Sequence, residues 1–147
     1  MANPDSVSQN TQDCFSNYRL GIIKATQLNT TGNGAVKIPL LSGGLTNSGN
    51  TATSGGVIVR RITVQNPSGS IASANITIGT SSGGNSIVAN ANGLLSSVSA
   101  AGTFQDMTST TTFVSGNTTS CIYVNVNTAS GNSNTVDIVV WGDVVSF

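Results

Sequence analysis

IYVNVNTASGNSNTVDIVVWGDVV, residues 122–145, is the stretch that decides the fold class. Ile122, Val124 and Val126 alternate with Tyr123, Asn125 and Asn127. After the turn-forming cluster ASGNSN (129–134), Val136, Ile138 and Val140 alternate with Thr135, Asp137, Val139, Trp141 and Asp143. A period of two places neighbouring side chains on opposite faces of a strand, whereas a helix would need apolar residues three and four apart. The stretch reads as two strands separated by residues that tolerate turn geometry.

The same reading extends through the chain. Val36, Ile38 and Leu40 alternate with Ala35, Lys37 and Pro39, and the proline suggests an edge strand because it has no N–H to donate. In Ile71–Thr80 one face holds Ala72, Ala74, Ile76 and Ile78. Val57–Gln65 changes parity, with Val57 and Val59 in one phase and Ile62 and Val64 in the other, so a bulge is expected near Arg60 and Arg61. Arg19–Leu28 and a short run at Ser86–Ala89 bring the expected total to seven or eight strands. Gly, Asn and Ser clusters at 42–56, 66–70 and 81–85 separate them. Leu94, Leu95, Val98 and Ala101 have helical spacing for one turn at most. The expected architecture is all-β: a single antiparallel β-sandwich, jelly-roll-like, spanning residues 18–147, preceded by an extended N-terminal arm at 1–17 that is polar and aperiodic.

Composition narrows the function. The chain has 147 residues, with neither His nor Glu, and Ser, Thr, Asn and Gly make up about half of it, far above ordinary usage. His leads the general acid–base residues and Glu is prominent among the others, so the composition argues against an enzyme. It also leaves no side chain with an ordinary pKa between about 5 and 8. Five basic residues balance five acidic ones, and only Arg60 and Arg61 are adjacent, too few for a duplex nucleic-acid surface. No apolar run approaches the length of a membrane helix. Four Phe, two Tyr and one Trp are too few for the aromatic girdles of a membrane barrel. The opening MANPDSVSQN has no signal-peptide pattern, so folding in a cytoplasm is expected.

Motifs that carry chemistry are weak. Asp137 and Asp143 share a parity, but six residues of extended strand separate them by about 20 Å, well beyond a glycosidase carboxylate pair. No calcium-loop, zinc, phosphate-loop or nucleophile-elbow pattern occurs, so neither cofactor nor metal is expected. NTT (29–31, 117–119) and NIT (75–77) match the glycosylation sequon, as an Asn- and Thr-rich chain will by chance. Cys14 and Cys121 read as free thiols by default, with a disulfide between arm and domain as the alternative.

The more informative candidate is a surface. Val139, Trp141 and Val145 fall on the strand face opposite Val136, Ile138 and Val140, so one sandwich core cannot hold both sets. Either the protein's own loops or arm cover the second face, or it is an interface. Arg60 and Arg61 are either solvated strand charges or docking contacts for an acidic partner. Cys14, Phe15 and Tyr18, at the junction of arm and domain, complete the candidate partner contacts.

VIVRRITVQNPSGSIASANITIGTSSGGNSIVA (57–89), followed by residues 122–145, resembles the small β-rich virion proteins of tailed bacteriophages, above all the capsid decoration, or cement, proteins. That resemblance implies a homotrimer on the virion surface, made in the host cytoplasm, whose partner is the major capsid protein. Such a protein clamps neighbouring capsid subunits by binding only the assembled lattice. The rival expectation is a receptor- or carbohydrate-binding module of a tail fibre or spike, with Asn- and Thr-rich loops as the site.

Overall fold

The computed structural model describes residues 18–40, 55–83, 87–107, 112–115 and 121–146. They form nine strands: β1 (Tyr18–Gln27), β2 (Gly32–Pro39), β3 (Gly55–Gln65), β4 (Asn75–Gly79), β5 (Ile87–Leu94), β6 (Phe104–Met107), β7 (Thr112–Ser115), β8 (Cys121–Thr128) and β9 (Thr135–Ser146). Every pairing is antiparallel. One sheet runs β1-β9-β3-β6, with β7 also on β3, and the other runs β2-β8-β4-β5. The all-β sandwich expected from alternation is what forms, and the expected N-terminal arm at 1–17 lies outside the described residues.

The core is the sum of the inward parities. Ile38 of β2, Ile62 of β3, Ile76 of β4, Ile122 of β8 and Ile138 of β9 are fully buried in one cluster. Each full burial of such a side chain stabilises by about 1.5–3 kcal/mol before conformational entropy is subtracted. β8 and β9, the two strands of the opening stretch, do not pair with each other. The chain crosses from one sheet to the other through residues 129–134, so the two inward faces look at each other across the core.

Seven strands match the expected runs, and β6 and β7 are additional, each only four residues long. Both lie on the side of β3 away from β9, β7 beside Gly56–Val59 and β6 beside Ile62–Gln65. The expected bulge sits between Val59 and Arg61, where β3 steps in register against β9. It restores the phase, so that Val57, Val59, Ile62 and Val64 all reach the core. Pro39 is on β2, an edge strand, as its missing donor requires.

Boundaries differ where turns compete with alternation. The fourth strand starts at Asn75 instead of Ile71, because Ile71–Ala74 closes a turn with the Ala74 N–H donating to the Ile71 carbonyl at 2.9 Å. The fifth extends to Leu94, beyond the expected Ala89, through small and polar residues with no apolar period. Leu95–Val98 forms a single hydrogen-bonded turn and no helix, burying both end residues.

β1 is bulged twice against β9, between Arg19 and Gly21 and between Ile23 and Thr26. At the second bulge Ala25 has φ 49°, a left-handed conformation, and its N–H donates to Asp137 Oδ1 at 2.9 Å. A Cβ in that region costs about 1–2 kcal/mol, while glycine adds about 0.5–1 kcal/mol of unfolded-chain entropy. Ala25→Gly is therefore expected to stabilise the fold by up to about 1 kcal/mol, seen as a Tm rise of about 2–4 °C in thermal denaturation. A lower Tm would show that the bulge needs the alanine methyl.

Candidate docking face

Outward parity on the β1-β9-β3 sheet assembles the face to which sequence pointed. Register places Arg19 of β1 and Arg61 of β3 directly beside Trp141 of β9, one on each side. The next row along holds Ile22, Val139, Thr63 and Asp106, taken from β1, β9, β3 and β6. Asp137 and Gln65 follow, with Phe104 at the β6 edge, 62% exposed.

The bulge decides what the two adjacent arginines do. Two consecutive strand residues would normally point to opposite faces, and one guanidinium would be driven into the core. The extra residue prevents this, and both Arg60 and Arg61 are exposed. Arg60 Nε donates to Asp143 Oδ2 at 2.7 Å, a surface ion pair of the kind that adds at most about 1 kcal/mol. Arg61 stacks its guanidinium on the Trp141 ring, 5.3 Å from the centroid. The two candidates thus divide between a charge pair and an aromatic platform.

The aspartates are equally committed. Asp137 accepts from the Ala25 N–H and, at 3.0 Å, from Asn66 Nδ2, binding β1 and the end of β3 to β9. Asp106 accepts from Thr63 Oγ1 at 2.6 Å. With Asp143 on Arg60, each described aspartate has a different partner, and no group of three potential metal ligands occurs among the described residues. The donors are less well served. Trp141 Nε1 is enclosed and has no acceptor, and neither Arg19 nor Arg61 forms an ion pair among the described residues.

Val139 is 1% exposed despite its outward parity, so it is packed and not presented. Trp141 is half-buried. Tyr18 and Val145 lie in β1 and β9, opposite Gly142 and Gly56, on described backbone. Cys14 and Phe15 lie outside the described residues. Cys121 is a buried free thiol. It stands on the outward side of β8 beside Tyr123, whose pKa is raised above its ordinary value mainly by a hydrogen bond with that thiol. Lys37 lies over the Tyr123 ring at 5.8 Å.

Sequence reading missed the role of Arg19. Nothing local distinguishes it, and only the β1–β9 register puts it beside the tryptophan. It also lines, with Leu20, Gly21, Ile22, Pro39 and Leu40, an open cavity of about 300 Å³ between edge strands β1 and β2.

The described Ser- and Asn-rich β3–β4 and β8–β9 loops bond to each other. Asn132 and Asn134 each donate to the Ser70 carbonyl, at 2.9 and 3.0 Å. Ser73 Oγ donates to the Ser130 carbonyl at 2.9 Å, and Ser68 exchanges two bonds with Thr135. These groups hold the β3–β4 and β8–β9 connections together, which leaves fewer of them for an external ligand. No protein-family model, curated protein or solved structure matches the chain.

Proposed function

We propose that this is a non-enzymatic contact protein, a capsid decoration protein that binds the outside of an assembled phage head and stabilises contacts between capsid subunits. The observation that carries the reading is the Arg19–Trp141–Arg61 row, a tryptophan flanked by two guanidinium groups on an outer sheet face. Trp and Arg are the residue types that dominate binding hot spots. Within this row Trp141 Nε1 has no acceptor and neither arginine forms an ion pair among the described residues, whereas the polar groups of the described β3–β4 and β8–β9 loops are bonded to one another.

The winding supports the same reading. With β6 and β7 counted as one interrupted strand, the sheets run 1-8-3-6 and 2-7-4-5, which we read as a jelly roll. Viral shell and lectin domains both use that arrangement, so it is support by analogy of fold. The low charge and the lack of His fit a surface that works by contact across a range of pH. In this reading the partner is the major capsid protein, the protein is a homotrimer on the virion surface, and it is made in the host cytoplasm.

Sedimentation with purified particles tests the reading. The protein is expected to pellet with assembled, expanded heads and to stay in the supernatant with unassembled capsid subunits. Binding to host cells or glycans without binding to heads would replace it with the receptor- or carbohydrate-binding module. Trp141→Ala is expected to weaken head binding by about 2 kcal/mol or more, the size of a hot-spot loss, or roughly thirtyfold in Kd.

A further inference from the structure

We infer that the Arg19–Trp141–Arg61 row receives a carboxylate on a peptide segment of the partner protein, with an apolar side chain beside that carboxylate seated in the β1–β2 cavity. The inference rests on the docking reading above and specifies the chemistry of the partner.

Charge complementarity selects the carboxylate. Arg60 is neutralised by Asp143, and Asp106 and Asp137, each hydrogen-bonded but still charged, stand one and two rows further along, so in the Trp141 row itself the cations without an ion pair among the described residues are Arg19 and Arg61. They stand one strand to either side of β9, so their Cα atoms are about 10 Å apart, within reach of two extended arginine side chains converging on one anion. Arginine presents a planar fork of donors that matches a carboxylate in two-point contact.

The indole adds a third donor. Nε1 is enclosed, and a buried donor without an acceptor costs about 1–3 kcal/mol. Arg61 lies against that ring, 5.3 Å from its centroid, and in the proposed complex a peptide oxygen accepts from Nε1. Binding then satisfies a donor that has no acceptor among the described residues.

The cavity sets the neighbour of the carboxylate. Arg19 lines it, and the other lining residues, Leu20, Gly21, Ile22, Pro39 and Leu40, carry no charge. Its volume of about 300 Å³ has room for one Leu- or Phe-sized side chain. A nucleic acid would place several phosphates along this surface, where only two guanidinium groups await them, and would leave the cavity empty. The ligand that fits both features is an acidic peptide segment with a large apolar residue next to the acid.

The chain has one tryptophan, so its indole N–H gives a single reporter peak in a proton–nitrogen spectrum. N-acetyl-Ala-Phe-Glu-Ala-amide, titrated into the full-length protein to millimolar concentration, is expected to shift that peak saturably, and less so in about 0.5 M NaCl. The Phe-Gln peptide is expected to leave the peak in place, and an Ala-Glu peptide to bind more weakly than Phe-Glu. Arg19→Gln and Arg61→Gln should each weaken binding about tenfold or more, and Lys24→Gln, which removes a cation outside the row, should leave it unchanged. All three residues are exposed, and the rest of the spectrum reports whether each variant is folded. An equal response to the Gln peptide, no response at all, or saturation by inorganic phosphate at the same affinity would overturn the inference. Head binding without a peptide response overturns this inference alone. A peptide response without head binding overturns the decoration reading and leaves the carboxylate receptor standing.

Discussion

Gly142→Ala is expected to destabilise the protein by about 3 kcal/mol or more, which for a domain of ordinary stability removes a large fraction of the total. Gly142 sits in β9 on the core-facing parity, between Tyr18 of β1 and Val59 of β3. A Cβ there would collide with the carbonyl oxygen of Ile58 and would lie 2.9 Å from Leu20 Cδ1. The first obstacle is backbone, placed there as β3 enters its bulge, so it cannot be relieved by a rotamer change. The leucine end could move, but it belongs to the close-packed core. Urea denaturation followed by Trp141 fluorescence measures the effect as a lower midpoint. Gly32→Ala is the control, because nothing lies within 4 Å of the added carbon. It should stay within about 0.5 kcal/mol of the parent, as substitutions away from packed or strained positions usually do. Equal midpoints for the two variants would show that β3 and β9 can separate freely at the bulge.

Ile138→Ala should cost about 3–4 kcal/mol. Ile138 has no exposed surface and lies in the middle of β9, with Ile23 opposite on β1 and Val64 opposite on β3. Truncation removes three carbon groups, about 2.4 kcal/mol of transfer free energy, and leaves a cavity that adds to the loss. β9 is paired on both sides along much of its length, so the flanking strands cannot readily collapse into the space. The same urea titration measures this loss, with an unchanged slope expected if the denatured state is unaffected. A cost below about 1 kcal/mol would mean that the two sheets close over the gap, contrary to a core fixed by interlocked strands.

The strands were legible because alternation is a local property. Ile122, Val124 and Val126, and Ile138 and Val140, declare their face without reference to the rest of the chain, and the parity break at Arg60–Arg61 marks the bulge in the same way. β6 and β7 were not legible, because four residues are too few for a period to stand out and their partner is the far side of β3. Alternation overshoots the start of β4, because Ile71 through Ala74 keeps strand parity while its backbone closes a turn. For the candidate site, Trp141 and the arginine pair were visible as anomalies of parity and charge. Arg19 was not, since one arginine among polar residues carries no local signal.

The amino-acid sequence by itself determined the all-β class, the inward face of each long strand, the bulge and the composition that argues against acid–base chemistry, because these depend on residue type and on neighbours one or two positions away. Only the tertiary structure decided that β8 and β9 belong to different sheets, that Val139 is packed while Arg61 lies on Trp141, and that Arg19 completes the row. Those outcomes depend on strand order and register, which bring together residues more than a hundred positions apart in the case of Arg19 and Trp141. Their free energy comes from burying faces against one another, and no local pattern encodes which face meets which.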